Sequence, residues 1–483
     1  MKKQLHKSFS NKLSLFILLY TMLIPIASFA WNGDILIHGT TPTASHSLTA
    51  KANGELYISV PVDSSGTYKV LIYHSTDNGD TWNLLPVSYN TSSATAIVKT
   101  KIVTTGSDSV YCMYQTNAEI KFLNPESGVQ GLFNTIGVEA FDAAASPNGN
   151  AIYLFVDEVA INSVKRYGTL DGGLTWGGNT ATVSGTGAIP KAYMTGTRLI
   201  LNYYSPVQAI PANSIIRSAF YDESAPGTIT PGTFQDMVTN TAVEKREFQS
   251  VIYNNTVWFF YTEGNPAQIL KCRVSTDNGV TYNPEFTVAG NASVSALKID
   301  AKHYNSVSGG CYLAYVADSL SLAALQDQVV IRSAAISTPA TFGAAVAVND
   351  FSLTNAPPYS NVSLMPFANG SITDIGIAWV QTPSATAQLY FDRLSNVTNI
   401  PENDISKTLS IYPNPAGETL NIFSDKIDLS GKAIVVSNVD GKKALATNID
   451  SGNQVNVSSL SSGIYFISVQ INDMVVKRVF VKM

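Results

Sequence analysis

The sequence predicts an all-β fold, and three observations support this prediction. Only 13 % of the 483 residues are charged and 10 % are aromatic, a composition typical of β-proteins. Between residues 31 and 398, short apolar runs alternate with turns rich in Gly and Asn, without helical periodicity. Three landmarks recur there seven times, at intervals of 45 to 61 residues. Units of several strands at this period predict a seven-bladed β-propeller.

The landmarks follow one another in the same order in each repeat. A tight-turn signal such as "ANGE" or "PNGN" supplies the positive φ angles of a two-residue hairpin. An apolar aromatic run such as "LYISV" or "VWFFY" comes next, and a third run carries one basic or imidazole residue near its end. We assign these basic positions to the third strand of each blade: His74, Lys121, Arg166, Arg217, Arg273, Arg332 and Arg393.

One eight-residue phrase follows the basic position of the first, third and fifth repeats. It reads "STDNGDTW" at 75–82, "TLDGGLTW" at 169–176 and "STDNGVTY" at 275–282. An Asp carboxylate can accept backbone N–H groups across a turn, Gly can adopt a conformation closed to other residues, and an aromatic ring can cover the turn. We therefore expect a structural turn between the third and fourth strands, rather than a metal-binding or catalytic loop.

The phrase resembles the Asp-box of sialidase-like propellers. The matching residues are Ser75, Asp77, Gly79 and Trp82, then Thr169, Asp171, Gly173 and Trp176, then Ser275, Asp277, Gly279 and Tyr282. The sixth and seventh repeats carry no recognisable box, so six blades are the alternative. The last repeat also lacks an obvious fourth strand, and we expect "GDILIHGT" at 33–40 to pair there and close the ring.

Residues 1–30 have the pattern of a secretory signal peptide. Four lysines precede the apolar stretch "LSLFILLYTMLIPIA", and small residues precede an expected cleavage after Ala30. Cleavage would leave 26 basic and 35 acidic side chains, net −9. No later apolar run is long enough to cross a bilayer, and no basic face suits nucleic acid.

The three cysteines form neither a metal-binding spacing nor a disulfide framework. We expect Cys112, Cys272 and Cys311 to be buried thiols, with a single Cys272–Cys311 bridge as the alternative. The five histidines have no metal-ligand spacing, and no phosphate loop or serine-hydrolase motif appears. We therefore expect no metal and no cofactor.

The last part of the chain has a different character. A polar linker at 399–408 precedes a module at 409–483 with short alternating strands, which predicts a small immunoglobulin-like β-sandwich. The module resembles the type A C-terminal sorting domain of the Bacteroidota type IX secretion system. The matching positions are Tyr412, Pro413, Asn414, Pro415, Gly441, Gly463, Tyr465, Lys477 and Arg478. The resemblance implies export through the periplasm, recognition by the outer-membrane translocon and sortase, and release or attachment at the cell surface.

Sialidase activity is not expected. Sialidases resemble one another in an Arg-Ile-Pro motif and an arginine triad that grips a substrate carboxylate, whereas "AIPK" and "AIPA" here lack the arginine. The third-strand arginines should lie away from the axis, which leaves only Arg198 and Arg246. No catalytic residue is assigned. Acidic residues in loops between second and third strands are candidates for a ligand face: Asp63, Asp157, Glu158, Glu263 and Asp318.

Three functions from different classes fit the sequence. The leading hypothesis is a secreted or cell-surface, non-catalytic binding or adhesion propeller, whose ligand is a glycan or a surface protein. The first alternative is a secreted glycan-active hydrolase of the sialidase-like superfamily, which rests on fold analogy. The second alternative is a structural passenger of surface or motility machinery.

Overall fold

The computed structural model describes most of the chain. The described residues are 30–31, 33–39, 45–64, 66–87, 89–90, 96–116, 119–134, 137–158, 163–265, 267–291, 293–305, 309–319, 326–349, 353–354, 361–370, 372–381, 387–395, 410–424, 429–438, 442–471 and 474–483. The predicted signal peptide up to residue 29, the predicted linker at 399–408 and Gly441 lie outside them. The chain divides into two compact units, which for the described residues are 30–395 and 410–483.

The first unit is built of antiparallel strands, which are numbered in the order of the chain. Two short strands, β1 (Ala30–Trp31) and β2 (Ile35–His38), come first. The first sheet contains β3 (Ser47–Ala50), β4 (Leu56–Ser64), β5 (Thr67–Ser75), β6 (Asn83–Leu84) and β7 (Tyr89–Asn90). The second contains β8 (Lys99–Thr104), β9 (Val110–Gln115), β10 (Glu119–Leu123) and β11 (Gln130–Asn134). The third contains β12 (Val138–Ala145), β13 (Ile152–Glu158), β14 (Ser163–Thr169) and β15 (Gly177–Ser184).

Four more sheets complete the unit. The fourth contains β16 (Ala188–Thr195), β17 (Arg198–Tyr204), β18 (Ile216–Ala225) and β19 (Thr228–Val238), with one 3₁₀ turn at Pro211–Asn213. The fifth contains β20 (Lys245–Tyr253), β21 (Thr256–Glu263), β22 (Ile269–Ser275) and β23 (Phe286–Ala289). The sixth contains β24 (Val294–Tyr304), β25 (Gly310–Ser319), β26 (Gln326–Ala335), β27 (Val346–Ala347) and β28 (Leu353–Thr354). The seventh contains β29 (Val362–Asn369), β30 (Ile372–Gln381) and β31 (Gln388–Ser395).

The described residues of this unit therefore form seven sheets, and each sheet corresponds to one of the seven sequence repeats. The apolar aromatic runs are the second strands, and β9 and β13 are buried along their whole length. A strand covered on both faces reads as a continuous apolar run, which explains why these segments lack alternation. The basic landmark residues all lie on third strands. The all-β, propeller-like architecture predicted from the repeats is confirmed.

The N-terminal strands complete the seventh sheet. Ile35 of β2 pairs with Phe391 of β31, and Trp31 of β1 pairs with Leu394 of the same strand. The edge of β31 is thus covered by chain from the other end of the unit, which removes an exposed row of unpaired backbone groups. The expected pairing of "GDILIHGT" with the last repeat is confirmed.

The three boxes share one hydrogen-bond arrangement. In the first, Gly79 N donates to Ser75 Oγ at 2.8 Å, and Ser75 Oγ donates to Asp77 Oδ1 at 2.8 Å. Thr81 donates twice to Asp77, from its backbone N at 2.9 Å and from Oγ1 at 2.6 Å. The boxes at 169–176 and 275–282 repeat all four bonds to within 0.1 Å. These turns lie between third and fourth strands and hold no cavity-lining residue.

Each box also packs on the preceding sheet in the ring. A Cβ added at Gly79, Gly173 or Gly279 would lie 2.2 to 2.7 Å from an aromatic ring of a third strand: Phe391, Phe122 and Phe220, respectively. All three glycines also have φ between 86° and 93°, where L side chains are strained. Glycine is therefore required at this position by both conformation and space.

The second unit has its own core. It contains β32 (Ser410–Tyr412), β33 (Thr419–Phe423), β34 (Ala433–Asn438), β35 (Lys443–Asn448), β36 (Gln454–Asn456), β37 (Gly463–Ile471) and β38 (Met474–Lys482). One sheet has the order β32-β33-β36 and the other the order β35-β34-β37-β38. Leu420 and Ile422 from the first sheet share a buried cluster with Val436, Ile467 and Val469 from the second.

Two further features bear on the sequence predictions. The three cysteines are free and buried, so the structure has no Cys272–Cys311 bridge. Burial raises the pKa of the Cys112 thiol to about 11. In the described part of the chain, no helix is long and apolar enough to span a membrane.

Candidate functional site: the axial cavity

The first strands of the seven sheets surround a cavity of about 820 Å³. Each first strand contacts that of the next sheet, and β29 contacts β3, so the contacts close a ring. The lining strands are β3, β8, β12, β16, β20, β24 and β29. Small-molecule sites in proteins commonly measure roughly 300–1,000 Å³. The cavity is therefore large enough for a ligand of a few sugar units or less.

Charged side chains line the cavity in unequal numbers. Six side chains of the lining are cationic: Lys99, Lys101, Lys191, Arg246, Lys298 and Lys302. Three are anionic: Asp142, Glu247 and Asp300. The lining carries a formal charge of +3, whereas the whole chain carries −5. A concave, low-dielectric wall of one sign concentrates its field in the cavity and raises the local concentration of counter-ions. The cavity is thus a positive region in an acidic protein.

Asp142 on β12 lies among three lysines. Its side chain is 5 % exposed, with Oδ1 3.0 Å from Lys101 Nζ and 3.9 Å from Lys99 Nζ. Its Oδ2 accepts the backbone N–H of Ala192 on β16 at 2.9 Å, which ties two sheets together. Burial would raise the pKa of Asp142, but Lys101, Lys99 and Lys191 outweigh burial and hold the pKa far below its usual range. The carboxylate is ionised at neutral pH. We call Asp142 and these three lysines the Asp142 group.

Lys99 and Lys101 differ although they share one carboxylate. Burial lowers the pKa of Lys99 to about 7; Asp142 opposes this effect, and Lys191 and Lys101 reinforce it. Burial would also lower the pKa of Lys101, but its direct ion pair with Asp142 prevails and raises it. Lys99 also donates to the carbonyl of Phe141 and lies 4.9 Å from that ring's centroid. Near neutral pH the Lys99 ammonium is therefore easily deprotonated, whereas Lys101 stays charged.

A second group of charges lies on β20 and β24. Lys298 forms an ion pair with Glu247, and Lys302 Nζ lies 2.8 Å from Asp300 Oδ1. Asp300 Oδ2 accepts the backbone N–H of Leu364 on β29 at 2.8 Å, the same type of inter-sheet bond that Asp142 makes. Burial would raise the pKa of Glu247, but Lys298 and Lys191 lower it. These carboxylates serve the fold and neutralise lysines.

His303 is held neutral at the wall of the cavity. Its Nδ1 is hydrogen-bonded to the Tyr193 hydroxyl, and its Nε2 lies 3.4 Å from Thr195 Oγ1. Burial, with a smaller effect of Lys302, lowers the pKa of His303 to about 4. With both ring nitrogens engaged, the imidazole positions Tyr193 and is poorly placed to accept a proton from a ligand.

The acidic residues predicted to form a ligand face lie elsewhere. Contrary to the expected loop positions, all five lie at the ends of second strands, and none lines the cavity: Asp63, Asp157, Glu158, Glu263 and Asp318. Asp157 and Glu158 are buried, Asp157 accepts the backbone N–H of Ile189 at 3.0 Å, and Glu158 pairs with Lys165 at 2.6 Å. The second strands extend further than the sequence pattern suggests, because ladder pairing continues to Glu158 and Glu263.

The arginines considered for a carboxylate grip do not converge. None of the third-strand arginines lines the cavity, and Arg198 pairs with Asp222 at 2.9 Å. Arg246 does line the cavity, and it pairs with Glu244 at 2.9 Å. In the described part of the chain, no cluster of three or more His, Cys, Asp or Glu side chains could hold a metal ion.

The axial lysines are the residues that sequence reasoning missed. A signal for them exists, because charges alternate with other residues in "KTKI" at 99–102 and "KIDAK" at 298–302. In a strand such alternation places the charges on one face. These strands are the first of their sheets, so the charged face lines the axial cavity.

The "YPNP" segment of the second unit is held against the last strand. Asn414 Oδ1 accepts the backbone N–H of Val481 at 2.9 Å, and Ala416 N donates to Val481 O at 2.7 Å. Tyr412 is half-exposed, while Tyr465 is buried, with its ring centroid 5.8 Å from that of Phe480. Gly463 and the backbones of Lys477 and Arg478 lie on β37 and β38. The segment is thus hydrogen-bonded to the C-terminal strand of this unit.

Comparison with known proteins identifies the second unit. Residues 410–482 match the family described as the secretion system C-terminal sorting domain, which confirms the predicted resemblance to type IX sorting domains. The match indicates export by the type IX secretion machinery and a secreted or cell-surface location. The comparison with curated proteins finds no match.

Several solved structures are similar in fold to this chain. The NanB sialidase from Streptococcus pneumoniae is 10 % identical with a TM-score of 0.42, covering 78 % of this chain and 72 % of that one. The GH93 α-L-arabinofuranosidase of Fusarium graminearum is 12 % identical with a TM-score of 0.43, covering 75 % and 97 %. A protein of unknown function from Dyadobacter fermentans is 13 % identical with a TM-score of 0.45, covering 76 % and 99 %. Scores below 0.5 at this identity say nothing about activity.

Proposed function

We propose that the protein is an exported binding protein whose first unit holds a ligand in the axial cavity without converting it. The observation that carries the proposal is that a cavity of about 820 Å³ contains three carboxylates, each engaged by a lysine. Hydrolysis of a glycoside needs a carboxylic acid that is protonated near neutral pH beside a second carboxylate. The lowered pKa values of Asp142 and Glu247 argue against that role.

Export places the binding unit outside the cell. The sorting-domain match at 410–482 supports a surface-exposed or released protein, and such a location is compatible with adhesion to a glycan or a surface protein. The translocon and sortase would contact the second unit, through the surface that includes Tyr412 to Pro415. The polar and aromatic lining of the cavity, with Gln249, Tyr193 and Tyr304, suits hydrogen bonding and ring contacts to a small ligand.

One observation favours a glycan-active hydrolase as the second candidate. Burial raises the pKa of Asp157 to about 6, within the range of a general acid, and the charge of Glu139 adds to this effect. Asp157 is fully buried and hydrogen-bonded to Ile189 N, so a substrate would reach it only after rearrangement of β16. This candidate is therefore the weaker of the two.

A paired screen tests the proposal. The mature chain is applied to a glycan array and, in parallel, incubated with a panel of fluorogenic glycosides. We expect saturable binding on the array and no release of fluorophore. Turnover that disappears in Asp157→Asn or Asp142→Asn would replace the binding proposal with the hydrolase, and the absence of both binding and turnover would favour the structural passenger.

A further inference from the structure

The lysines of the Asp142 group exceed the negative charge available to them. Lys99 and Lys101 share the single carboxylate of Asp142, whose Oδ2 is already bound to Ala192 N. The ammonium of Lys191 has no hydrogen bond or ion pair with any residue that the structure describes, and its side chain is half-buried in the cavity wall. At least one positive charge on this side of the cavity is therefore uncompensated by the protein.

Lys191 acts on both groups of charges. It lowers the pKa of Asp142 on one side and that of Glu247 on the other, so its ammonium lies within electrostatic reach of both carboxylates. Both carboxylates already have closer lysine partners, Lys101 and Lys298. A negative group entering the cavity would find in Lys191 an ammonium that has no hydrogen bond or ion pair with a described residue.

We infer that the axial cavity binds a small ligand bearing more than one carboxylate, sulfate or phosphate group, and that Lys191 supplies the free cation that contacts it. This inference rests on the proposed function and names its ligand class. Arg246 is paired with Glu244, so with Lys99 protonated the lining has five further cations against three carboxylates, and this excess of two positive charges is the reason for more than one anionic group. Charge-assisted hydrogen bonds from ammonium groups are stronger than neutral ones, and the partly enclosed wall limits screening by salt.

Lys99 adds a reason for the cavity to favour an anion. Its ammonium is destabilised by burial and by its two lysine neighbours. An anion in the cavity would offset these effects and keep Lys99 protonated. Ligand binding would then be accompanied by proton uptake near neutral pH, since the free protein holds Lys99 only partly charged.

Calorimetric titration of the mature chain at low salt tests the inference. The probes are pyrophosphate, a disulfated disaccharide and digalacturonate, with neutral cellobiose for comparison. We expect at least one anionic probe to bind saturably, more weakly at high salt, and Lys191→Gln to weaken that binding by about tenfold, as the loss of one charge-assisted contact implies. The ranking of the three anionic probes separates phosphate, sulfate and carboxylate.

Two matched variants control the experiment. Lys69 on β5 is also half-buried and has no ion pair with a described residue, but it lies outside the cavity lining, so Lys69→Gln should leave binding unchanged. Lys191→Arg keeps the charge and should retain most of the affinity. Unchanged melting temperatures would show that the variants fold.

The failures of the two proposals are distinguishable. Equal binding of the anionic probes by Lys191→Gln and wild type, or no binding of any anionic probe, would overturn the inference. Binding of neutral glycans on the array would still leave the binding function intact. Conversely, turnover of a glycoside would remove the non-catalytic function even if the anion site were found.

Discussion

Phe391 of the seventh sheet lies directly against Gly79 of the first box. A Cβ at Gly79 would lie 2.2 Å from Phe391 Cε1, and the Trp82 ring meets the Phe391 ring edge-on with centroids 5.1 Å apart. Arg393, two residues after Phe391, donates to the carbonyl of Asn78 at 3.2 Å. The first box is therefore a contact between the first and last sheets, in addition to being a turn within its own sheet.

Replacing Gly79 with alanine should destabilise the first unit strongly. The residue has φ of 93° and no room for a methyl group. The conformation alone costs an L residue about 1–2 kcal/mol, and overpacking against Phe391 adds about 1–3 kcal/mol. Denaturant unfolding of Gly79→Ala and wild type measures the difference.

Gly66 is the matched control for this prediction. It has a similar φ of 82°, but nothing lies within 4 Å of an added Cβ. Gly66→Ala should therefore show only the conformational cost of about 1–2 kcal/mol. Equal destabilisation by Gly66→Ala and Gly79→Ala would mean that the Phe391 contact has no energetic role.

Asp77 and Trp82 should each contribute measurably to stability. Asp77→Ala removes the acceptor of three hydrogen bonds and is expected to cost about 1–3 kcal/mol. Trp82→Ala removes aromatic packing on Phe391 and is expected to cost about 2–4 kcal/mol. Asp80→Asn is the control, because Asp80 is exposed and makes a surface ion pair with Arg393, typically worth about 0–1 kcal/mol. Thermal melts of the two test variants that coincide with wild type would refute the stabilising role of the first box.

Lys99 should make stability depend on pH above neutrality. Burial lowers its pKa to about 7 in the folded chain, where Lys191 and Lys101 reinforce burial and Asp142 and Glu247 oppose it; the unfolded value is about 10.4. Between these values the unfolded chain binds more protons than the folded one, so the Lys99 contribution to stability rises with pH. Buried Tyr and Cys groups have the opposite effect, because they make stability fall as pH rises. Comparing wild type with Lys99→Met separates the contribution of Lys99 from theirs.

The expected result is a difference that grows with pH. The free energy of unfolding of wild type minus that of Lys99→Met should increase from about pH 7 to about pH 10. A difference that is constant across this window would show that Lys99 keeps an ordinary pKa.

The second unit should be necessary for export beyond the periplasm. Deletion of residues 409–483 is expected to trap the chain in the periplasm, and fusion of this segment to an inert exported reporter should carry the reporter outside. Asn414→Ala, which breaks the bond to Val481 N, tests whether the "YPNP" segment must stay docked on β38. Fractionation that finds the truncated chain outside the cell would contradict this prediction.

The repeat pattern predicted those parts of the fold that are local in sequence. The second strands and the boxes could be found because apolar runs and turn chemistry recur at fixed offsets. Thr81, Thr175 and Thr281 are not among the predicted box residues, although each donates twice to the box Asp. Threonine hydroxyls are common in turns, so a threonine alone does not identify a box residue.

Contacts between distant repeats could not be predicted in the same way. Nothing in the sequence links Gly79 with Phe391, because their contact depends on closure of the ring. The axial cavity could not be predicted for the same reason, because Lys99, Lys191 and Lys298 come from three different sheets. The sequence pattern places the acidic residues at the ends of second strands in loops, because strand ends cannot be located from propensity when ladder pairing extends the strand.

We propose that the first unit binds a ligand and releases it unchanged. The most direct test is to incubate the mature chain at high concentration with a ligand from the screen, then to analyse the recovered ligand by mass spectrometry. We expect saturable binding and full recovery of intact ligand after prolonged incubation. Cleaved ligand, formed by wild type and absent with Asp157→Asn or Asp142→Asn, would contradict it.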